Sequence, residues 1–180
     1  MRCSEPIRQL GVVDVTDFNL ALNQQDDAIW NSDAHFKVRL APYRNTRAIY
    51  LLFTPGGPSE PTGYFSGWEP LGAAFEPIAA AISAFYPHPG RVLNAQVASL
   101  PAGATIAPHV DRGPVLEATH RVHIPLKTNP RVMFDIEGSF YALKQGCVYE
   151  IDNMRSHAVW NESDQDRIHL IIDYLSPDSV

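Results

Sequence analysis

Cysteine is nearly absent from this sequence. Its 180 residues hold two, Cys3 and Cys147. Two thiols close at most one disulfide, and no C-x-x-C or mixed Cys/His spacing suggests a zinc site. Long hydrophobic runs are missing too. No window approaches the roughly 18 continuous apolar residues that a membrane span needs. The longest greasy stretch, 79–85, is interrupted by Ser83. The opening segment MRCSEPIRQLGVVDV has no apolar core of the signal-peptide kind. Positive charge is also scarce: 14 Lys and Arg stand against 20 Asp and Glu, a formal charge of -6. A binder of nucleic acid or of a membrane surface needs the opposite balance. These absences predict a reduced, cytoplasmic protein with no membrane or nucleic-acid partner.

What is present is ordinary globular material. Hydrophobic residues make up 45% and charged residues 19%, a composition that folds rather than one that stays disordered. The length suits one well-buried domain over 1–180. Its first part, 1–90, is mixed. Residues 14–24 place Val15, Phe18, Ala21 and Leu22 on one helical face, with Thr16 or Asp17 as the cap. Residues 35–40 and 47–53 alternate as strands do. The segment 54–69 is rich in proline and glycine and reads as a loop, a candidate lid carrying Tyr64, Phe65 and Trp68. Residues 70–85 read as a helix with a kink or break at Pro77.

From 91 to 176 the pattern changes to short β-rich runs: 92–99, 104–110, 120–126, 131–136, 139–143, 147–151, 157–161 and 167–175. Turn residues separate them at short intervals. Eight such strands imply an antiparallel sandwich or barrel. With helices gathered earlier in the chain, the expectation is a mainly β fold: a double-stranded β-helix (jelly roll, cupin-like) with N-terminal helices packed on one sheet.

Three clusters carry chemistry. Residues i and i+2 of a strand face the same way, so His109 and Asp111 can grip one ion. His157 lies 48 residues further on, at the start of another expected strand. Two histidines and a carboxylate form the facial triad of non-haem iron sites, which leaves positions open for other ligands. H-x-D alone is a weak signal. The second cluster is Arg167-Ile168-His169, in an otherwise apolar strand. A guanidinium facing inward needs an anion, and its planar fork suits the far carboxylate of a dicarboxylate cosubstrate. A structural ion pair is the plain alternative. The third cluster, Arg121-Val122-His123, puts two cationic or polar residues on one face, against Val122, Ile124 and Leu126 on the other. Arg44 and Arg47 are further candidates for an anionic substrate, although a surface position suits Arg44 better.

Taken in order, the segments LPAGATIAPHVD, RVHIPLKTNP and YALKQGCVYEIDNMRSHAVWNESDQDRIHLIIDYL resemble the aspartyl/asparaginyl β-hydroxylase family of Fe(II)/2-oxoglutarate-dependent dioxygenases. The resemblance spans about 92–175. It rests on an ordered set: H-x-D, R-x-H-x-P-L, G-x(10)-H, N-x-S and R-x-H-L. It implies that His109 and His157 ligate iron, with Asp111 completing the triad as in bacterial members. It implies that Arg167 binds the distal carboxylate of 2-oxoglutarate, and that His123 contacts this cosubstrate near the metal. Arg121 would face the cosubstrate or a substrate carboxylate. The implied reaction uses Fe(II), 2-oxoglutarate and O2 to hydroxylate an amino acid, a peptidyl residue or a similar small polar substrate. A cupin-like metal enzyme that is not an oxygenase and a non-catalytic binding module remain as alternatives.

Overall fold

The computed structural model describes residues 5–33 and 43–177. The strand expected at 35–40 and Cys3 lie outside them. Eleven strands occur among the described residues: β1 (Ile7–Val12), β2 (Arg47–Phe53), β3 (Gly63–Tyr64), β4 (Arg91–Leu100), β5 (Thr105–His109), β6 (His120–Lys127), β7 (Val132–Ile136), β8 (Ser139–Tyr141), β9 (Cys147–Ile151), β10 (His157–Asn161) and β11 (Arg167–Leu175). They form a seven-stranded sheet, ordered β1-β9-β6-β11-β4-β2-β3, and a four-stranded sheet, ordered β5-β10-β7-β8. Every pairing is antiparallel. This is the expected jelly roll.

Three α-helices accompany the sheets: α1 (Thr16–Asn23), α2 (Trp68–Ser83) and α3 (Pro114–Ala118), with a 3-10 helix at Asp27–Asn31. Helix α2 buries Leu71, Phe75, Ile78 and Ile82, a stripe spaced by four, three and four residues that lies on one face. These side chains join Phe18 and Leu22 of α1 against Val122, Ile124, Leu170 and Ile172 of the large sheet. A second apolar cluster, with Leu100, Phe134, Ile136 and Val159, lies between the two sheets. The alternation along β6 and β11 therefore sorts side chains as the sequence implies. Their apolar face meets the helices, and Arg121, His123, Arg167 and Ile171 line the cavity between the sheets.

Several local expectations are corrected. Neither Thr16 nor Asp17 caps α1; the Asp14 carboxylate accepts a hydrogen bond from the Thr16 amide at 2.9 Å instead. Helix α2 runs unbroken through Pro77. Pro77 and Ala73, the residue whose carbonyl it leaves unbonded, are both exposed, so water solvates the lost bond. The segment expected as a loop at 54–69 contains β3 and the first two residues of α2. Strand β1 escapes the alternation pattern because it bulges at Leu10, between Gln9 and Gly11, which breaks the two-residue period. Cys147 is a free thiol. No helix among the described residues is long and apolar enough to cross a membrane.

Two glycines are required where the chain closes on itself. Gly146 adopts φ 73° at the turn into β9 and donates its amide to the Pro125 carbonyl. A Cβ on Gly90 would stand 2.1 Å from the Leu175 carbonyl oxygen, so only glycine fits beside the end of β11.

Candidate active site

Strands β5 and β10 pair so that His109 and His157 stand directly opposite each other, with ring centroids 4.2 Å apart. Asp111 lies just past the end of β5, not within the strand as H-x-D periodicity implies. Its amide donates to the Asn153 carbonyl at 3.0 Å, which anchors the turn. The potential ligand atoms of His109, Asp111 and His157 all lie within 4.8 Å of one another. The sequence-derived trio is thus brought together.

The tautomers are fixed by neighbouring backbone. His109 Nδ1 lies 2.8 Å from the Ala107 carbonyl oxygen, and His157 Nδ1 lies 2.9 Å from that of Arg155. A carbonyl only accepts, so each Nδ1 carries the proton and each Nε2 presents a lone pair. Burial holds His157 below its ordinary pKa, favouring the neutral ring that a metal requires.

Asp111 is 5% exposed. Its Oδ1 accepts a 2.5 Å hydrogen bond from Tyr43. Its Oδ2 sits 2.9 Å from Arg121 Nε, yet the alignment falls outside hydrogen-bond geometry and this oxygen has no hydrogen-bond partner. Burial works to raise the carboxyl pKa. Arg121, the Tyr43 hydroxyl and the two imidazoles outweigh it and hold the group below its ordinary value. An ionised carboxylate whose Oδ2 makes no hydrogen bond, beside two nitrogen lone pairs, fits a divalent transition metal such as iron and leaves coordination positions open.

Arg121 has a second partner, Asp173, whose Oδ1 it meets at 2.7 Å. Asp173 Oδ2 accepts from the Asn94 side chain at 2.8 Å. Arg121 is thereby held between two carboxylates rather than left free for an anion. His123 is pushed well below its usual pKa, by burial first and then by Arg121 and Arg167. It is therefore a neutral ring at physiological pH. It packs edge-on against Phe134, and its Nδ1 is 3.5 Å from that of His169.

Arg167 is different. Only 2% of it is exposed. Among the described residues no carboxylate pairs with it, and its Nε has no hydrogen-bond partner. Its guanidinium lies over the Phe134 ring at 5.8 Å. Burial pulls its pKa down to about 10, which still leaves a cation at neutral pH. The plain alternative of a structural ion pair is not found among the described residues. A buried, unpaired cation is unfavourable unless a ligand supplies the anion.

These groups share one cavity of about 670 Å³ between the sheets, a size typical of small-molecule sites. Its remaining wall is largely apolar, with Leu52, Phe53, Val115, Leu116 and Ile171. Tyr64, Phe65 and Trp68 do not line it. Trp68 packs on Phe75, and Phe65 packs on Tyr50 and Phe53. Arg47 pairs with Asp27 and covers the Trp30 ring, while Arg44 is exposed; neither lines the cavity.

Sequence reasoning missed Tyr43, Asn94, Arg112 and Asp173. Asp173 carried a usable signal, because the alternation Arg167, His169, Ile171 continues to it. Tyr43 carried none.

A jelly roll with two histidines and one carboxylate converging in its interior defines a class: a double-stranded β-helix able to hold a single metal ion. The family is more specific. A model described as aspartyl/asparaginyl beta-hydroxylase matches residues 75–177, more than half of the chain, and the chain belongs to that family. Among curated proteins none matches it. Solved structures share its fold. A 2OG-Fe(II) oxygenase family oxidoreductase from Burkholderia pseudomallei is 14% identical, with a TM-score of 0.56 over 97% of this chain and 93% of that one. AviO1 from Streptomyces viridochromogenes Tue57 is 16% identical, with a TM-score of 0.60 over 96% and 90%. The non-heme monooxygenase ThoJ, in a nickel complex, is 17% identical, with a TM-score of 0.58 over 97% and 75%.

Proposed function

We propose that this chain is an Fe(II)/2-oxoglutarate-dependent dioxygenase that hydroxylates an unactivated C–H bond of a small substrate, free or peptide-borne, and releases succinate and CO2. The observation that carries the proposal is the pairing of two features in one cavity. One is the His109–Asp111–His157 group with its free lone pairs. The other is Arg167, a buried guanidinium without a counter-ion among the described residues. The first suits a metal, and the second suits the far carboxylate of a dicarboxylate. A cupin-like metal enzyme of another kind has no use for Arg167.

His109, Asp111 and His157 would hold the iron, which when bound supplies the centre at which O2 is activated as 2-oxoglutarate is oxidatively decarboxylated. The residues of the chain position and shield. Tyr43 and Arg121 orient the Asp111 carboxylate. Arg167 receives the distal carboxylate of 2-oxoglutarate through a planar pair of N–H donors. His123 and Phe134 form a dry wall beside it. Water is kept from the reacting centre by the apolar sides of the cavity.

Equilibrium binding of 2-oxoglutarate to the metal-loaded protein, without oxygen, tests this. Binding should require metal and should weaken about 10-fold or more in Arg167→Gln, the loss of a charge-assisted bidentate contact. Binding that is indifferent to both metal and Arg167 would overturn the assignment.

A further inference from the structure

Five charged residues line the cavity among those described: Arg112, Arg121, Arg167, Asp111 and Asp173. Their partners divide them sharply. Both oxygens of Asp173 are taken, one by Arg121 and one by Asn94. Asp111 gives Oδ1 to Tyr43, with His109 Nε2 3.6 Å from that oxygen, and turns Oδ2 toward His157 and Arg121. No carboxylate in this wall is left to receive a substrate ammonium group. Arg121 is neutralised by its two aspartates. Arg167 is enclosed, and under the proposed function it serves the cosubstrate.

Arg112 remains. It follows Asp111 directly and lines the same cavity. It is exposed, and among the described residues it forms no ion pair. The wall next to it, Val115 and Leu116 of α3, is apolar, as are Leu52 and Phe53. Three arginines against two aspartates leave the wall one positive charge in excess, in a chain whose formal charge is -6. A divalent metal and a doubly charged 2-oxoglutarate cancel each other, so the excess persists in the loaded site.

We infer that the substrate is an organic carboxylate with an apolar skeleton and no ammonium group, and that Arg112 receives its carboxylate at the cavity mouth. This rests on the proposed function and narrows it. A free, zwitterionic amino acid brings an ammonium group that the wall leaves uncompensated. An acylated amino acid or another apolar acid does not.

The test uses four probes on one skeleton: N-acetyl-leucine (anion), N-acetyl-leucinamide (neutral), leucine (zwitterion) and leucinamide (cation). Each is titrated by ligand-observed NMR into the zinc-loaded, 2-oxoglutarate-bound protein. N-acetyl-leucine should bind about 10-fold more tightly than the other three. Arg112→Gln should abolish that preference, and Arg112→Lys should restore part of it. The inference is overturned if the amide or leucine binds as well as the anion, if the anion does not bind, or if its preference survives Arg112→Gln. Binding of 2-oxoglutarate to the same sample is measured first. Its absence fells the proposed function and this inference together, whereas its presence without an anion preference fells the inference alone.

Discussion

The Tyr43 hydroxyl donates a 2.5 Å hydrogen bond to Asp111 Oδ1, and the Tyr43 ring meets His109 edge-on at 4.9 Å. One residue outside the H-x-D motif thus braces both of its side chains. Tyr43 is itself pinned: its carbonyl accepts from the Thr46 amide at 3.0 Å and from the Thr46 hydroxyl at 2.8 Å. Burial, then the Asp111 charge, pushes the phenol pKa well above its usual value. It therefore keeps its proton, and remains a hydrogen-bond donor, at any physiological pH.

Tyr43→Phe keeps the ring and removes the donor. Outer-sphere partners of metal ligands are typically worth about 10- to 100-fold in metal affinity. Calorimetric titration with Mn(II) should show binding at least about 10-fold weaker in the variant. Equal affinities would mean that Asp111 is oriented by Arg121 alone.

Glu150 predicts a pH-dependent stability. It is 1% exposed and accepts from Arg8 at 2.7 Å and from Tyr86 at 3.2 Å, with His120 Nδ1 at 2.8 Å. Burial pushes its carboxyl pKa up, but His120 and Arg8 outweigh burial and hold it below the ordinary value. A depressed carboxyl stabilises the fold above its unfolded-state pKa, and the benefit is lost as pH falls through the folded-state pKa. Glu150→Gln should lower stability at pH 7 by about 1–3 kcal/mol. In thermal melts the gap from the parent protein should close as pH drops below about 4.5. A gap that is constant with pH would contradict the assignment.

Pro77 predicts a gain. Proline in a helix interior is about 3 kcal/mol less favourable than alanine, and both Pro77 and Ala73 are exposed on α2, so the ring is not part of the core. Pro77→Ala should raise the melting temperature. A lower melting temperature would show that the proline restricts the unfolded chain more than it disturbs the helix.

Phe75 marks the opposite case. It is 2% exposed, within the cluster that joins α2 to the large sheet. Phe75→Ala should cost about 3–5 kcal/mol in denaturant unfolding. A loss below about 1 kcal/mol would mean that α2 is not anchored there.

Much of this molecule was legible in its sequence. Strands β4 to β11 fall where alternation and turn residues predict them, and along β6 and β11 one face meets an apolar layer while the other lines the cavity. His109 and His157 could be paired because each stands at the end of a strand. Arg167 was legible because a cation interrupts an apolar run. What stayed hidden has physical reasons. The bulge at Leu10 breaks the period of β1. Helix α3 is a single turn, too short for periodicity, although Pro114 after Gly113 marks its start. The double commitment of Arg121 depends on Asp111 and Asp173, partners 10 and 52 residues away in sequence. Tyr43 reaches Asp111 across 68 residues, and no local pattern encodes such a contact.

The most direct test of the central claim is succinate formation from 2-oxoglutarate in air with added Fe(II). The parent protein should release succinate, substrate-stimulated or uncoupled, and His109→Ala should reduce it to the metal-only background. Succinate yield equal in the parent protein and His109→Ala would contradict the account.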